Sequence, residues 1–512
     1  MKLDLKEKIG QLIIAHLDGN IPLTSDAFHS AVQLIENHVL GGFIVFGGDH
    51  FHTPCLIHEL QKRSQLPLFF ASDMENGVGQ QLKGATEFPS NMALGATRSE
   101  ELAFEEGKSI AREAKALGFN LIFAPVMDVN TNPKNPIINT RSYGDQPDLV
   151  SRLGTSFIQG VQEENIIATA KHFPGHGHTE LDSHLTLPVV KLSKELLYKT
   201  ALPPFISAIK HGVQAIMVAH LYSPALDKQT MIPTSLSYEV VNNLLGRKLS
   251  FKGLIITDSL RMRGLTDYLP EEKAAVFALK AGVNILLHPA DPEGLIYYVY
   301  QEAIKDNLLA ERVDHAASKI NEAKNRLHQS YQIPIPDPVP SLVLAQKIAR
   351  SSITLIKDDE NMIPLNAHFP PELLIIQNNP AAARGEILDN EFKKRIPGIK
   401  AFFFPPEWKG VFPELNTETP TICAIFSHIR AYQNALLPSS MIKKQLYKLL
   451  EERKSICMIY FGNPYLISEF SQAPCSLCTF SDSAVSQKAV VEALFGEISM
   501  NGTLPISLQK RR

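Results

Sequence analysis

Eight short apolar runs, each followed by a longer amphipathic segment, fill roughly the first 330 residues, and this alternation restricts the fold more than any other feature. The runs are Gln11–Leu17, Gly42–Phe46, Leu66–Ser72, Asn120–Val126, Ile167–His172, Ala215–Leu221, Gly253–Thr257 and Asn284–His288. Short continuous apolar stretches read as strands buried on both faces, the habit of parallel sheets. Between them, Glu100–Ala116, Pro147–Glu163, Ser193–Lys210 and Tyr238–Leu245 place apolar residues near the helical period. Eight β/α units predict an α/β fold of the (β/α)8 TIM-barrel type, with a doubly wound open sheet as the alternative.

Polar residues favour the barrel. The third run ends at Asp73-Met74-Glu75, the fourth at Asp128, the fifth at Lys171-His172, the sixth at His220, the seventh at Asp258 and the eighth at His288. Barrel enzymes build their sites at the C-terminal ends of the strands, so six polar ends in succession predict a shared mouth.

Four prolines at every second position in Ile333-Pro334-Ile335-Pro336-Asp337-Pro338-Val339-Pro340 favour a stiff, extended connector. Residues 1–330 are therefore expected to form the barrel and 331–342 a proline-rich linker. Residues 343–512 follow as a second domain. There Ser352–Lys357, Leu373–Gln377, Ala401–Phe404, Cys423–Phe426, Ile456–Phe461 and Leu477–Phe480 alternate with helical segments such as Met441–Lys454 and Ser486–Leu494. This pattern predicts an α/β/α sandwich. No GxGxxG or P-loop accompanies these strands, which gives nucleotide binding no support.

A net charge of −3 without long runs of one sign points away from nucleic acid and anionic membranes. The apolar run Leu12-Ile13-Ile14-Ala15 stops at His16, too short for an export signal or a membrane span, and predicts a cytoplasmic protein. Five cysteines fit a reducing compartment, and the CxxC pair Cys475/Cys478, with no second ligand pair nearby, reads as two buried thiols.

Four of the 17 histidines fall between Lys171 and His184, in a Gly/Pro loop after the fifth strand. A loop this dense in titratable groups contributes little packing and reads as a site. In extended backbone, residues i and i+2 project the same way, so Asp182 could hydrogen-bond His184, fix its tautomer and raise its basicity. Asp258 could be a nucleophile, a base, a metal ligand or a helix cap. The His176-Gly177-His178 pair, with His172, Asp182 and His184, raises a zinc-dependent barrel hydrolase as a rival, but glycines flanking His176 make a loose ligand platform.

These residues carry a resemblance. Lys171-His172-Phe173-Pro174-Gly175-His176-Gly177 followed by Asp182-Ser183-His184 resembles the signature of glycoside hydrolase family 3, in its β-N-acetylhexosaminidase branch. Further pieces match in order: Ser72-Asp73-Met74-Glu75-Asn76-Gly77, Phe123-Ala124-Pro125-Val126-Met127-Asp128-Val129, Asn139-Thr140-Arg141-Ser142-Tyr143-Gly144 and Ile256-Thr257-Asp258-Ser259-Leu260. The resemblance covers most of residues 5–330 and continues weakly into the second domain. It implies retaining hydrolysis of terminal β-linked N-acetylglucosamine, with Asp258 as nucleophile and His184, paired with Asp182, as acid/base. Asp73, Arg141, Lys171 and His172 match positions that hold sugar hydroxyls, and Asp128 lies beside that floor. No metal or organic cofactor is implied. Two positions depart from the family pattern: Val78 stands where an arginine is usual, and His178 where an aspartate is usual.

The implied substrate is a small glycan, an N-acetylglucosamine-containing peptidoglycan fragment processed in the cytoplasm for cell-wall recycling. A β-glucosidase or β-xylosidase of the same family generally lacks the Pro-Gly-His-Gly and Asp-Ser-His pieces. A phosphorylase using phosphate in place of water would need the same residues. A sugar-binding protein with decayed catalysis fits poorly with intact Asp182, His184 and Asp258.

Overall fold

The computed structural model describes residues 3–183, 185–229, 231–327, 338–378, 385–416, 418–427 and 438–508, which fall into two compact units. The first comprises residues 1–87, 100–135 and 150–341, the second 88–99, 136–149 and 342–512. A single cut at the proline run does not describe this partition, because two segments from the first 330 residues belong to the second unit. Residues 331–337 of the expected linker lie outside the described residues, and Val339–Ser352 is a helix. Proline is tolerated in a first helical turn, where the N–H it lacks would have no partner.

In the first unit the apolar runs become parallel strands β1 (Ile13–Asp18), β2 (Gly42–Phe46), β3 (Phe69–Ser72), β4 (Leu121–Ile122), β5 (Ile167–Phe173), β6 (Ala215–Val218), β7 (Leu254–Thr257) and β8 (Leu286–Leu287). Their order is β7-β6-β5-β4-β3-β2-β1-β8, and the bridge Ile256–Ile285 brings the two ends together as a barrel. Side chains stitch the shortest strands in place. Asn284 accepts from the Ile255 N–H at 2.9 Å, and Thr257 Oγ1 accepts from the Leu287 N–H at 3.0 Å. Asn120 likewise accepts from the Phe70 N–H at 3.0 Å and donates to the Leu68 carbonyl at 2.8 Å.

Local chemistry explains where elements differ from the sequence expectation. The first strand starts at Ile13 because Gln11 ends a helix, Leu5–Gln11, opened by a reciprocal Asp4/Glu7 capping box. The segment 193–210 is two helices, Lys194–Lys199 and Pro203–Lys210, since Pro203 and Pro204 have no N–H to continue the first and are well placed to begin the second. Residues Glu239–Lys248 wind as a π-helix.

The second unit holds β9 (Thr354–Asp358), β10 (Glu372–Gln377), β11 (Lys400–Phe404), β12 (Thr421–Ser427), β13 (Ile456–Gly462) and β14 (Cys475–Cys478). The sheet order is β11-β10-β12-β13-β14-β9, parallel except for the antiparallel edge strand β9. Its core joins Leu374, Ile425, Met458 and Leu446 to Met92 and Ala96 from the short helix Asn91–Thr97. Cys475 and Cys478 are free and fully buried on β14, and burial pushes the Cys478 thiol far up. No described helix is long and apolar enough to cross a membrane.

Candidate active site

The polar ends of β3 and β5 meet at Lys171. β5 is buried along its whole length, so the ammonium that it carries needs partners. Lys171, 1% exposed, places Nζ 2.6 Å from Asp73 Oδ1 and 2.6 Å from Glu75 Oε1. Both acids follow β3, and the Gln80 side-chain carbonyl orders that turn by accepting from the Glu75 N–H at 2.7 Å. Asp73 retains partial exposure, so it can present a carboxylate oxygen to a ligand while Lys171 holds it.

Asp128 organises the next stretch. Fully buried after β4, it accepts from the His172 N–H at 3.2 Å, from His172 Nδ1 at 2.7 Å and from the His176 N–H at 2.6 Å. Burial pushes its carboxyl up, but the neighbouring His172 and His176 and these hydrogen bonds outweigh that and hold it below the ordinary value. The carboxylate thereby orients His172 and pins the start of the Gly/Pro loop.

Within the loop, His176 Nδ1 lies 2.8 Å from Thr179 Oγ1 and Nε2 lies 2.9 Å from Ser183 Oγ. A neutral ring serves both hydroxyls, one nitrogen donating and the other accepting. Burial lowers the His176 pKa to about 4. Asn135 donates to the His176 carbonyl at 2.9 Å. Gly177 passes so close to the Val129 carbonyl that a Cβ would sit 1.9 Å from its oxygen, so only glycine allows this contact. These contacts fix the approach to Asp182 and Ser183, both buried.

Asp258 follows β7, half-buried, with its N–H bonded to the Val218 carbonyl at 3.0 Å and its Oδ1 accepting from the Ser259 N–H at 2.8 Å. His220, at the end of β6, buttresses this turn: Nε2 donates to the Ser259 carbonyl at 3.1 Å, while Nδ1 meets Ser235 Oγ at 2.7 Å. The histidine loop docks on the segment beyond Asp258, where the Gly264 N–H donates to the Ser183 carbonyl at 3.1 Å. A Cβ on Gly264 would lie 2.8 Å from that oxygen.

Of the residues expected from sequence, the first unit thus brings together Asp73, Asp128, Lys171, His172, Asp182 and Asp258. His184 lies outside the described residues. Arg141 belongs to the second unit, on a 3-10 turn where its Nη1 donates to the Ile137 carbonyl at 3.0 Å and its own carbonyl accepts from Asn91 at 2.8 Å. Sequence reasoning did not single out Glu75, although Asp-Met-Glu in extended backbone sends two carboxylates the same way. It considered His176 only as a zinc ligand in the rival reading and gave no role to Ser183 or Asn135, and the pairings of all three arise only in the folded loop. Val78 is fully buried and adds no charge to the mouth. His178 pairs through Nδ1 with Thr131 Oγ1 at 3.0 Å, away from the His176 partners, and among the described residues no three His, Cys, Asp or Glu converge as metal ligands.

A barrel mouth with a half-buried aspartate at one strand end and a carboxylate-clamped lysine and histidine at another is suited to gripping a polyhydroxylated ring beside a nucleophile. Residues 4–323 match the N-terminal domain of glycosyl hydrolase family 3. A β-N-acetylglucosaminidase/β-glucosidase of Cellulomonas fimi is 32% identical over 532 residues, spanning 98% of this chain and 93% of that protein. Among solved structures, a glycoside hydrolase family 3 β-N-acetylglucosaminidase from Paenibacillus sp. str. FPU-7 aligns at TM-score 0.81 and 29% identity, over 100% of both chains. A β-glucoside phosphorylase bound to 2FGlc aligns at TM-score 0.87 and 24% identity, covering 99% of this chain and 94% of that one, a likeness of fold. This chain belongs to glycosyl hydrolase family 3.

Proposed function

We propose that the protein is a retaining exo-β-N-acetylglucosaminidase that removes terminal β-linked N-acetylglucosamine from peptidoglycan-derived fragments in the cytoplasm. The observation that carries this reading is the placement of Asp258 at the end of β7 with the Asp73–Lys171–Glu75 clamp and the His172–Asp128 pair on the same barrel mouth. The preference for an N-acetyl sugar rests on the Lys171–His184 motif and on the activity named for the Paenibacillus neighbour, while the Cellulomonas fimi relative is named for both β-N-acetylglucosaminidase and β-glucosidase activity.

In this reading an Asp258 carboxylate oxygen attacks the anomeric carbon as the glycosidic C–O bond breaks, and His184 gives its proton to the departing oxygen. A glycosyl ester on Asp258 results. His184, oriented by Asp182, then takes a proton from water, whose oxygen displaces Asp258 and restores the carboxylate. Two inversions leave the β configuration unchanged. Asp73, Lys171 and His172 hold sugar hydroxyls, while Asp128 orients His172 without touching the sugar.

The test is turnover of an aryl β-N-acetylglucosaminide against the matching β-glucoside, by wild type and Asp258→Ala, with chelator present. Preference for the N-acetyl sugar and a loss above about a thousandfold in the variant are expected. Equal or better glucoside turnover, or an active Asp258→Ala protein, refutes the assignment. Sugar 1-phosphate in place of free sugar when phosphate is added would make the enzyme a phosphorylase.

A further inference from the structure

The residues assigned to sugar binding and reaction leave one arc of the mouth unused. In the sheet order, β3, β4, β5 and β7 carry Asp73, Asp128, Lys171, His172 and Asp258, β6 carries the His220 that supports the Asp258 turn, and the remaining rim belongs to β8, β1 and β2. Three rings meet there. His16 of β1 stacks on His288, just after β8, with centroids 5.2 Å apart and planes inclined by 23°. Phe46, at the end of β2, lies 5.7 Å from each of them. His16 is exposed, and Phe46 and His288 are half-buried, so the group offers ring surface to solvent.

This platform is tied to the nucleophile's own turn. His288 Nδ1 lies 3.1 Å from Ser259 Oγ, next to Asp258, and Arg261 Nη1 lies 3.3 Å from His288 Nε2. A guanidinium can only donate, so Nε2 accepts and the ring proton sits on Nδ1, directed at Ser259. Burial, then His16 and Arg261, lower the His288 pKa to about 4, in keeping with that neutral tautomer. Arg261 itself is exposed; the acid that feels its charge, Glu271, accepts from the Ala290 N–H at 3.0 Å, and among the described residues no carboxylate stands within ion-pair distance of the guanidinium. Asp18, the acid nearest in sequence to His16, is turned to Asn20, accepting from its N–H at 2.9 Å and its side chain at 2.8 Å.

We propose that His16, Phe46, His288 and Arg261 form a leaving-group subsite for an aglycone bearing a carboxylate. The rings carry the apolar face of the aglycone, whether a sugar or an aryl ring, and the Arg261 guanidinium pairs with its acid group. The exposure of Arg261 and His16 places this surface at the rim, where the part of a glycoside outside the sugar pocket would lie. The assignment rests on the reading of Asp258 as nucleophile.

The test compares two aryl β-N-acetylglucosaminides that differ only in a meta carboxylate or carboxamide on the aglycone. The ratio of their kcat/KM values is read for wild type, Arg261→Gln, Arg261→Lys and His16→Ala, so that differences in leaving-group reactivity cancel. Loss of one charge-assisted hydrogen bond lowers the carboxylate-to-carboxamide ratio about tenfold in Arg261→Gln. Arg261→Lys keeps most of the ratio, and His16→Ala raises KM for both aglycones. An unchanged ratio in a wild type and variant that both turn over overturns the subsite and leaves Asp258 in place. A variant whose preference shifts between N-acetyl and plain sugars with one aglycone also overturns it, since the platform would then serve the acetamido group. If wild type cleaves neither glycoside, the nucleophile assignment falls and the subsite falls with it.

Discussion

Replacing Asp128 by asparagine keeps the shape of a fully buried side chain while removing its charge and one of its two acceptor atoms. Donors on that carboxylate include the His172 N–H and Nδ1 on Oδ2, and the His176 N–H on Oδ1. An asparagine can turn its oxygen to only one side. Its amide then faces either the His176 N–H or the two His172 donors, leaving at least one buried N–H without an acceptor. A lost charge-assisted hydrogen bond costs about 1.5–3 kcal/mol and an unsatisfied buried donor about 1–3 kcal/mol. Removing a desolvated charge offsets part of this, so the net loss of stability is expected near 3 kcal/mol, roughly the order seen when one member of a buried pair is removed. A similar loss passed to the orientation of His172 lowers kcat/KM about a hundredfold. The Asp128 carboxyl sits below the ordinary 3.8, so its contribution is present above that pH and lost as pH falls through the folded value. The stability gap between wild type and variant should therefore be constant near neutrality and close in acid. Denaturant midpoints across pH and kcat/KM on an aryl β-N-acetylglucosaminide measure both effects. An Asp128→Asn protein with an unchanged midpoint and kcat/KM within threefold would refute the view that this carboxylate orders the loop.

Glu106 carries the opposite sign. It is fully buried, neither carboxyl oxygen has a hydrogen-bond partner among the described residues, and burial alone raises its pKa well above the ordinary 4.5. The folded chain keeps a proton that the unfolded chain releases, so stability is lost as pH rises above 4.5, at about 1.4 kcal/mol per pH unit until the folded value is reached. Glu106→Gln should be more stable than wild type near pH 7 and gain less near pH 5, as read by denaturant unfolding. His176 and His288, both lowered to about 4, stay neutral in the fold while the unfolded chain takes up protons below 6.5. Their contribution is complete above 6.5 and declines as pH falls toward 4, and a His176→Gln protein should show a shallower acid slope in the same titration. Lys324, lowered by burial to about 7, donates to Gln11 Oε1 and the Gly41 carbonyl, each at 2.8 Å. Between that value and its ordinary 10.5 the unfolded chain binds the extra proton, so wild-type stability should rise with pH in this window and Lys324→Met should lack the rise.

The barrel and the sheet of the second unit were legible because parallel strands are buried on both faces, so Gly42–Phe46 or Cys423–Phe426 reads as an unbroken apolar run. The polar residues that end those runs were legible for the same reason: Asp73, Lys171 and Asp258 interrupt stretches that packing would otherwise keep apolar. Proline chemistry could have divided the 193–210 segment, since Pro203-Pro204 carries the break in its covalent structure. The partnerships were not legible. Lys171 meets Asp73 across 98 residues of sequence, and Asp128 gathers the backbone and ring of His172 across 44. A buried charge specifies that it must have partners, but only closure of the barrel decides which acids stand within 2.6 Å. The grouping of residues 88–99 and 136–149 with the second unit depends in the same way on contacts that no local pattern encodes. Local composition thus determined the elements and the chemistry available at their ends. Tertiary structure decided which of those groups share a proton, a charge or a hydrogen bond, because these interactions act over ångströms in space and carry no periodicity along the chain.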